Sequence, residues 1–182
     1  MARLFLGLDL PPDVDAHLDL MSCGVPGARW EGRDKFHLTL LFLDELDGRV
    51  QRSLVDALTG LRSPPFELTL KGVGVFPPRG APSSLWAGVA DPAPLLALRQ
   101  KIVARLRELP VAADPRKFAP HVTLARVGAS PVDAVVAYLA DHVLFRSETF
   151  RVEQLNLYSS VRSAKGSQYR IEAGFPLRVE VR

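Results

Sequence analysis

His37-Leu38-Thr39-Leu40 and His121-Val122-Thr123-Leu124 are two copies of the pattern His-x-Thr-hydrophobic, set 84 positions apart in a chain with four histidines. The period of two ties the pattern to extended backbone. Side chains at i and i+2 of a strand share a face, so each copy presents an imidazole beside a hydroxyl. A chain of this kind must therefore place two such strands, and two that face one cleft supply an acid, a base and two hydroxyl donors. Five threonines among 182 residues put Thr two places after a given histidine about once in 36 positions. Two of four histidines meeting that condition is roughly a sub-per-cent coincidence, which marks the pair as functional.

Parity makes the expectation specific. Along the first motif strand His37, Thr39 and Leu41 should share one face, with Phe36, Leu38, Leu40 and Phe42 on an apolar, buried one. Along the second, His121, Thr123 and Ala125 oppose Val122, Leu124 and Arg126. Arg126 can join the histidine side only if the strand ends or bulges there.

The remaining segments alternate between strand-like and helix-like patterns without a linker. Ala2–Leu10 reads as a strand, Val14–Met21 as a helix started by Pro11-Pro12-Asp13, and Gly24–Gly32 as a loop carrying Trp30. Lys35–Leu43 is the first motif strand and Asp47–Leu61 a helix closed by Pro64-Pro65. Phe66–Val75 and Leu85–Val89 form a predicted hairpin across a proline-rich turn, followed by a helix over Leu95–Leu109. Lys117–Val127 is the second motif strand, Pro131–Asp141 a helix, Glu148–Ser160 a strand, Ser163–Ser167 a turn, and Tyr169–Val181 one or two closing strands. The order of elements around the motifs recurs loosely in the two halves. The expected fold is thus α+β: one bilobal domain over residues 1–182, with two similar lobes, each an antiparallel sheet backed by helices, in pseudo-two-fold symmetry about a central cleft.

Composition narrows the setting. Hydrophobic residues make up 47% and charged residues 24%, as in soluble globular proteins, and no apolar run has the length to cross a bilayer. The opening Met1–Asp9 is too short an apolar stretch for a signal peptide. Cys23 is the sole cysteine, which excludes an internal disulfide and a cysteine-based metal site. A cytoplasmic monomer without an obligate protein partner is expected. The net charge is +3, and 18 of the 23 basic residues are arginine, whose planar fork suits phosphate, so the charge permits a nucleic-acid partner without demanding one.

Two histidines without Cys, Asp or Glu at ligand spacing make a poor metal site, because zinc sites use about three or four protein ligands. No metal or other cofactor is expected. They suit paired acid–base work, since histidine titrates near neutral pH and one ring can take a proton while the other gives one. In-line displacement at a phosphodiester fits, with the threonine hydroxyls and an arginine holding the non-bridging oxygens.

At these residues the chain resembles the 2H phosphoesterases, and within them the RNA 2′,3′-cyclic phosphodiesterases, also called 2′-5′ RNA ligases. The resemblance runs from Arg3-Leu4-Phe5 and Leu10-Pro11, through Trp30, the segment Phe36–Leu43 and Leu85–Val89, to Phe118–Arg126, Leu155–Ser160, Gly166 and Tyr169. It implies hydrolysis of an RNA 2′,3′-cyclic phosphate end to a 2′-phosphate without a metal, with His37 protonating O3′, His121 activating water, and Thr39, Thr123 and Arg126 binding the phosphate. The near symmetry of the motifs by itself leaves acid and base unassigned. Use of the same end in 2′-5′ ligation is also implied. The first motif has Phe42 where the second has Arg126, so the phosphate clamp should be lopsided.

Trp30, Phe42 and Tyr158 are candidates to stack on a base, and Lys35, Arg79 and Lys165 to meet an RNA backbone. His17 and His142 lack a threonine partner and receive no role. Two other readings share these residues: a non-catalytic protein that binds RNA ends or nucleotides, and a phosphodiesterase for small cyclic nucleotides.

Overall fold

A computed structural model describes residues 3–77, 79–111, 118–163 and 166–179. Strand β1 (Arg3–Asp9) is buried on both faces from Leu4 to Leu8. Leu4, Leu6 and Leu8 enter the main hydrophobic cluster, while Phe5 points to the opposite side, against His37 and Tyr158. Helix α1 (Pro12–Met21) begins on Pro12, whose fixed φ suits a first turn, and buries Val14, Leu18 and Met21 at helical spacing. β2 (Arg29–Trp30) is followed by a 3₁₀ turn, Arg33–Lys35, and by β3 (His37–Glu45). Helix α2 (Gly48–Thr59) is capped by Asp47, whose carboxylate accepts from the Arg49 and Val50 amides at 2.8 Å each.

β4 (Phe66–Leu68), β5 (Leu70–Phe76) and β6 (Ser84–Val89) precede α3 (Ala93–Arg105). β7 (Val122–Arg126), α4 (Val132–Asp141), β8 (Phe150–Val152), β9 (Gln154–Ser163) and β10 (Gly166–Pro176) complete the chain. The main sheet runs β10-β9-β1-β3-β7-β6-β5, with β2 added on β7, and its strand pairs are antiparallel. Leu38 and Leu40 from β3, Val122 and Leu124 from β7, and the apolar faces of α1, α2 and α3 form one cluster. A smaller cluster joins Ala125 and Val127 to Val135 and Tyr138 around α4. The motif residues with the other parity are left facing a cleft.

The α+β class and the antiparallel pairing hold; the sheets expected of the two lobes are joined in one eight-stranded sheet, and a two-stranded sheet, β4-β8, stands apart from it. β3 and β7 meet at the single register pair Leu38↔Val122. Joining the halves there pairs two strands that would otherwise be open edges. Four local corrections follow. Arg29–Trp30 of the expected loop pairs with β7; Phe66–Val75 and Glu148–Ser160 each divide in two, and their outer pieces β4 and β8 pair with each other; and α3 ends at Arg105. The expected start of the second motif strand, Lys117, and the last residues of the closing strand, with Lys165, lie outside the described residues. Among the described residues no helix is long and apolar enough to cross a membrane.

Asp15 illustrates a local conflict. It sits in the first turn of α1, where a carboxylate is ordinarily favoured by the helix dipole. Burial nevertheless pushes its carboxyl up from 3.8 to about 6, opposed by Arg33 and aided by Asp9, and its Oδ1 is buried without a hydrogen-bond partner among the described residues. A folded pKa above the unfolded one gives stability that is complete below the unfolded value and is lost as pH rises through the folded value. Asp15→Asn should therefore raise Tm relative to the parent at pH 7 and lose most of that gain near pH 4; an equal gain at both values would contradict this.

Candidate active site

Each motif strand carries a bulge at the same place. Between β1 and β3 the register jumps from Gly7↔Thr39 to Leu6↔Leu41, passing over Leu40; between β6 and β7 it jumps from Trp86↔Thr123 to Leu85↔Ala125, passing over Leu124. An extra residue resets side-chain alternation. Leu40 and Leu41 are both buried, as are Leu124 and Ala125, and the next residues, Phe42 and Arg126, are exposed. The carbonyls at the two bulges are satisfied from outside their ladders: Arg99 Nε donates to Leu40 O at 3.1 Å, and the Glu31 amide donates to Leu124 O at 2.8 Å.

Phe42 and Arg126 are thereby returned to the side of the histidines, and His37, Thr39, Phe42, His121, Thr123 and Arg126 all line one cleft of about 1370 Å³. Arg126 follows the bulged alternative that parity left for it. Phe42 does not follow parity: the bulge removes it from the core and buries Leu41 instead.

The two imidazoles are held alike. His37 Nδ1 is 2.7 Å from the Lys35 carbonyl oxygen, and His121 Nδ1 is 2.7 Å from that of Ala119, two residues back in each case. A carbonyl only accepts, so each Nδ1 carries a proton and donates it, which leaves Nε2 as the atom able to take or give one. An aromatic ring stands edge-on to each: Tyr169 to His37 at 4.8 Å and 75°, Phe76 to His121 at 4.9 Å and 75°.

Their electrostatic settings differ. Burial lowers the pKa of His37 below 6.5, against the Lys35 carbonyl and the carboxylate of Asp9, which both raise it, while His121 lowers it further. Burial also lowers His121, against the Ala119 carbonyl, and there the nearby Arg126 adds to the lowering. A negative neighbour thus favours charge on His37 and a positive one disfavours it on His121.

Asp9 is held in place from two sides. It is the cross-strand partner of His37, accepts from Asn156 Nδ2 at 2.8 Å through Oδ2, and accepts a hydrogen bond from the Tyr158 hydroxyl through Oδ1. Burial and then Asp9 push the Tyr158 phenol up, so it keeps its proton and donates. Tyr158 is buried and stacks on Phe5 at 4.8 Å and 9°, its cross-strand partner. Its ring faces are not open to a base, a correction to its candidacy. Trp30 is likewise drawn inward: it packs on Tyr138 at 5.6 Å and on both hydrophobic clusters, and it does not line the cleft.

Of the basic candidates Lys35 lines the cleft and Arg79 does not. His17 lies edge-on to Phe145, and His142 stacks on Tyr138. Sequence reasoning missed Asp9, Glu31, Phe76, Arg99, Phe118 and the position of Tyr169. The available signal for Asp9 was polarity without repetition: an aspartate ending an apolar strand, and Asn156 alone inside another. Among the described residues no group of three or more His, Cys, Asp or Glu is arranged to hold a metal ion.

Two bulged, quasi-equivalent strands that bring paired imidazole and hydroxyl groups to one cleft define a two-histidine site on an antiparallel sheet. Residues 9–164 match the family model of the 2′-5′ RNA ligase superfamily, and the chain belongs to that superfamily. The resemblance read from the motifs is borne out. An RNA 2′,3′-cyclic phosphodiesterase of Geobacillus stearothermophilus is 33% identical over 162 residues, covering 86% of this chain and 50% of that protein, so the chain spans about half the length of this relative. Another RNA 2′,3′-cyclic phosphodiesterase, from Aeropyrum pernix, is 30% identical over 149 residues, covering 81% of this chain and 84% of that one. The crystal structure of a Thermus thermophilus protein, TT0787, superposes with a TM-score of 0.83 at 28% identity, over 98% of this chain and 100% of that chain.

Proposed function

We propose that this protein hydrolyses the 2′,3′-cyclic phosphate at an RNA end to a 2′-phosphate, using Nε2 of His37 and of His121 as acid and base. The observation that carries the reading is the matched tautomer of two histidines on one cleft, each with its Nδ1 committed to a backbone carbonyl. The names of the relatives support the substrate class.

In this reading neutral His121 takes a proton from water as its oxygen attacks phosphorus. The bond from phosphorus to O3′ breaks, and protonated His37 gives its Nε2 proton to that oxygen. The phosphate stays on O2′. Thr39 and Thr123 hydroxyls and the Arg126 guanidinium hold the non-bridging oxygens as charge gathers on them. Asp9 beside His37 and Arg126 beside His121 favour this division of labour over its mirror image. The same steps with a 5′-hydroxyl in place of water would join two RNA ends through a 2′-5′ bond. Histidine, threonine and arginine supply each proton and charge these steps need, so the reading requires no metal ion.

The test is incubation of purified protein with an oligoribonucleotide ending in 2′,3′-cyclic phosphate, in the presence of EDTA. The expected product carries a 2′-phosphate and a free 3′-hydroxyl. Unchanged ends, or a 3′-phosphate, would overturn the reading.

A further inference from the structure

Beside the cleft lies a second cavity of about 410 Å³, lined by Gly27, Arg29, Ser83, Arg126, Gly128 and Ala129. Arg126 lines both spaces, whereas Arg29 lines only the second. The two arginines are direct register partners across the β2–β7 pair, so their side chains leave the sheet on the same face. Their arrangement is anchored from below, since the adjacent partners Trp30 and Ala125 turn the other way into the hydrophobic clusters.

Like charges opposite one another on a sheet are destabilising until something neutralises them. Neither arginine forms an ion pair among the described residues, and no acidic side chain lines the second cavity. Gly27 shapes its wall: its φ is +74°, and a Cβ there would come within 2.9 Å of the Ala129 carbonyl oxygen. A guanidinium pair on an otherwise small and uncharged lining suits one phosphate bound by forked hydrogen bonds.

We infer that this cavity holds the phosphate on O5′ of the terminal nucleoside, the diester that links it to the rest of the RNA, while Arg126 spans both phosphates. The inference rests on the proposed phosphodiesterase reading and deepens it: the substrate class is an oligoribonucleotide and not a bare cyclic mononucleotide. Arg29 is then a specificity residue that never touches the reacting atoms.

The experiment compares a nucleoside 2′,3′-cyclic phosphate lacking any 5′-phosphate with a dinucleotide that ends in the same cyclic nucleotide. Wild-type protein should favour the dinucleotide. Arg29→Ala should raise KM for the dinucleotide roughly tenfold, as loss of a charged hydrogen bond does, and leave the mononucleotide within twofold. The salt dependence of log(kcat/KM) for the dinucleotide should weaken by about 0.7, the share of one single-strand phosphate. Arg29→Lys should recover part of the loss. Equal losses on both substrates, or none on either, would overturn the inference while leaving the phosphodiesterase reading standing. So would wild-type turnover without preference for the dinucleotide. Wild-type protein that turns over neither substrate overturns that reading and this inference with it.

Discussion

Alanine at His37 or at His121 is expected to lower kcat on a cyclic-phosphate RNA end by about 10²–10⁴-fold, the usual contribution of one positioned proton transfer. The expectation is the same for both because both rings are presented in the same way, through an Nδ1 bond to the carbonyl two residues back. KM should change little, since the proposed mechanism gives the hold on the phosphate to Thr39, Thr123 and Arg126. The double variant should fall hardly further than the worse single one, because the two transfers belong to one displacement. Both rings are only partly buried, so circular dichroism should report an intact fold in each variant. If either variant keeps near-parental kcat, that histidine does not carry the proton assigned to it.

Arg126→Ala should lower kcat by about 10²–10³-fold, the cost of losing one preorganised group at the developing charge. Arg126→Lys should restore only part of this, since a point charge does not reproduce a fork on two oxygens. Phe42→Ala occupies the matching place after the matching bulge and should act differently, with a modest rise in KM and kcat within a few-fold. The contrast tests the asymmetry directly: the two strands deliver equivalent positions, but only one delivers a cation. Equal losses in the two alanine variants would mean that Arg126 acts through packing and not through its charge.

The paired imidazole and hydroxyl groups could be read from the sequence because an i, i+2 pair on a strand is a local property. Side-chain direction beyond Thr39 was not local. Whether Leu40 is a bulge depends on Gly7 and Thr39 pairing across strands and on Arg99, 59 positions away, filling the freed carbonyl. Parity alone therefore put Phe42 in the core, and for Arg126 could name the bulge only as a requirement. The aromatics failed for a related reason. Trp30 and Tyr158 are equally plausible as platforms or as packing, and what decides is the ring each meets: Tyr138 for one and Phe5 for the other. Similarly, element order suggested two lobes, but the β3–β7 contact that joins them rests on Leu38 and Val122, which look like any buried strand residues. Asp9 was hidden because its work depends on Asn156 and Tyr158, nearly 150 positions away.

The pH dependence of kcat/KM on a cyclic-phosphate RNA end tests the paired-histidine account most directly, because it reports the titration of the free enzyme's acid and base. The rate should rise as His121 loses its proton and fall as His37 loses its own. Burial lowers both groups from the ordinary 6.5, so the account predicts a bell whose maximum lies below that value. A profile that is flat, or that only rises, between about pH 5 and pH 8, the range in which histidine titrates, would contradict it.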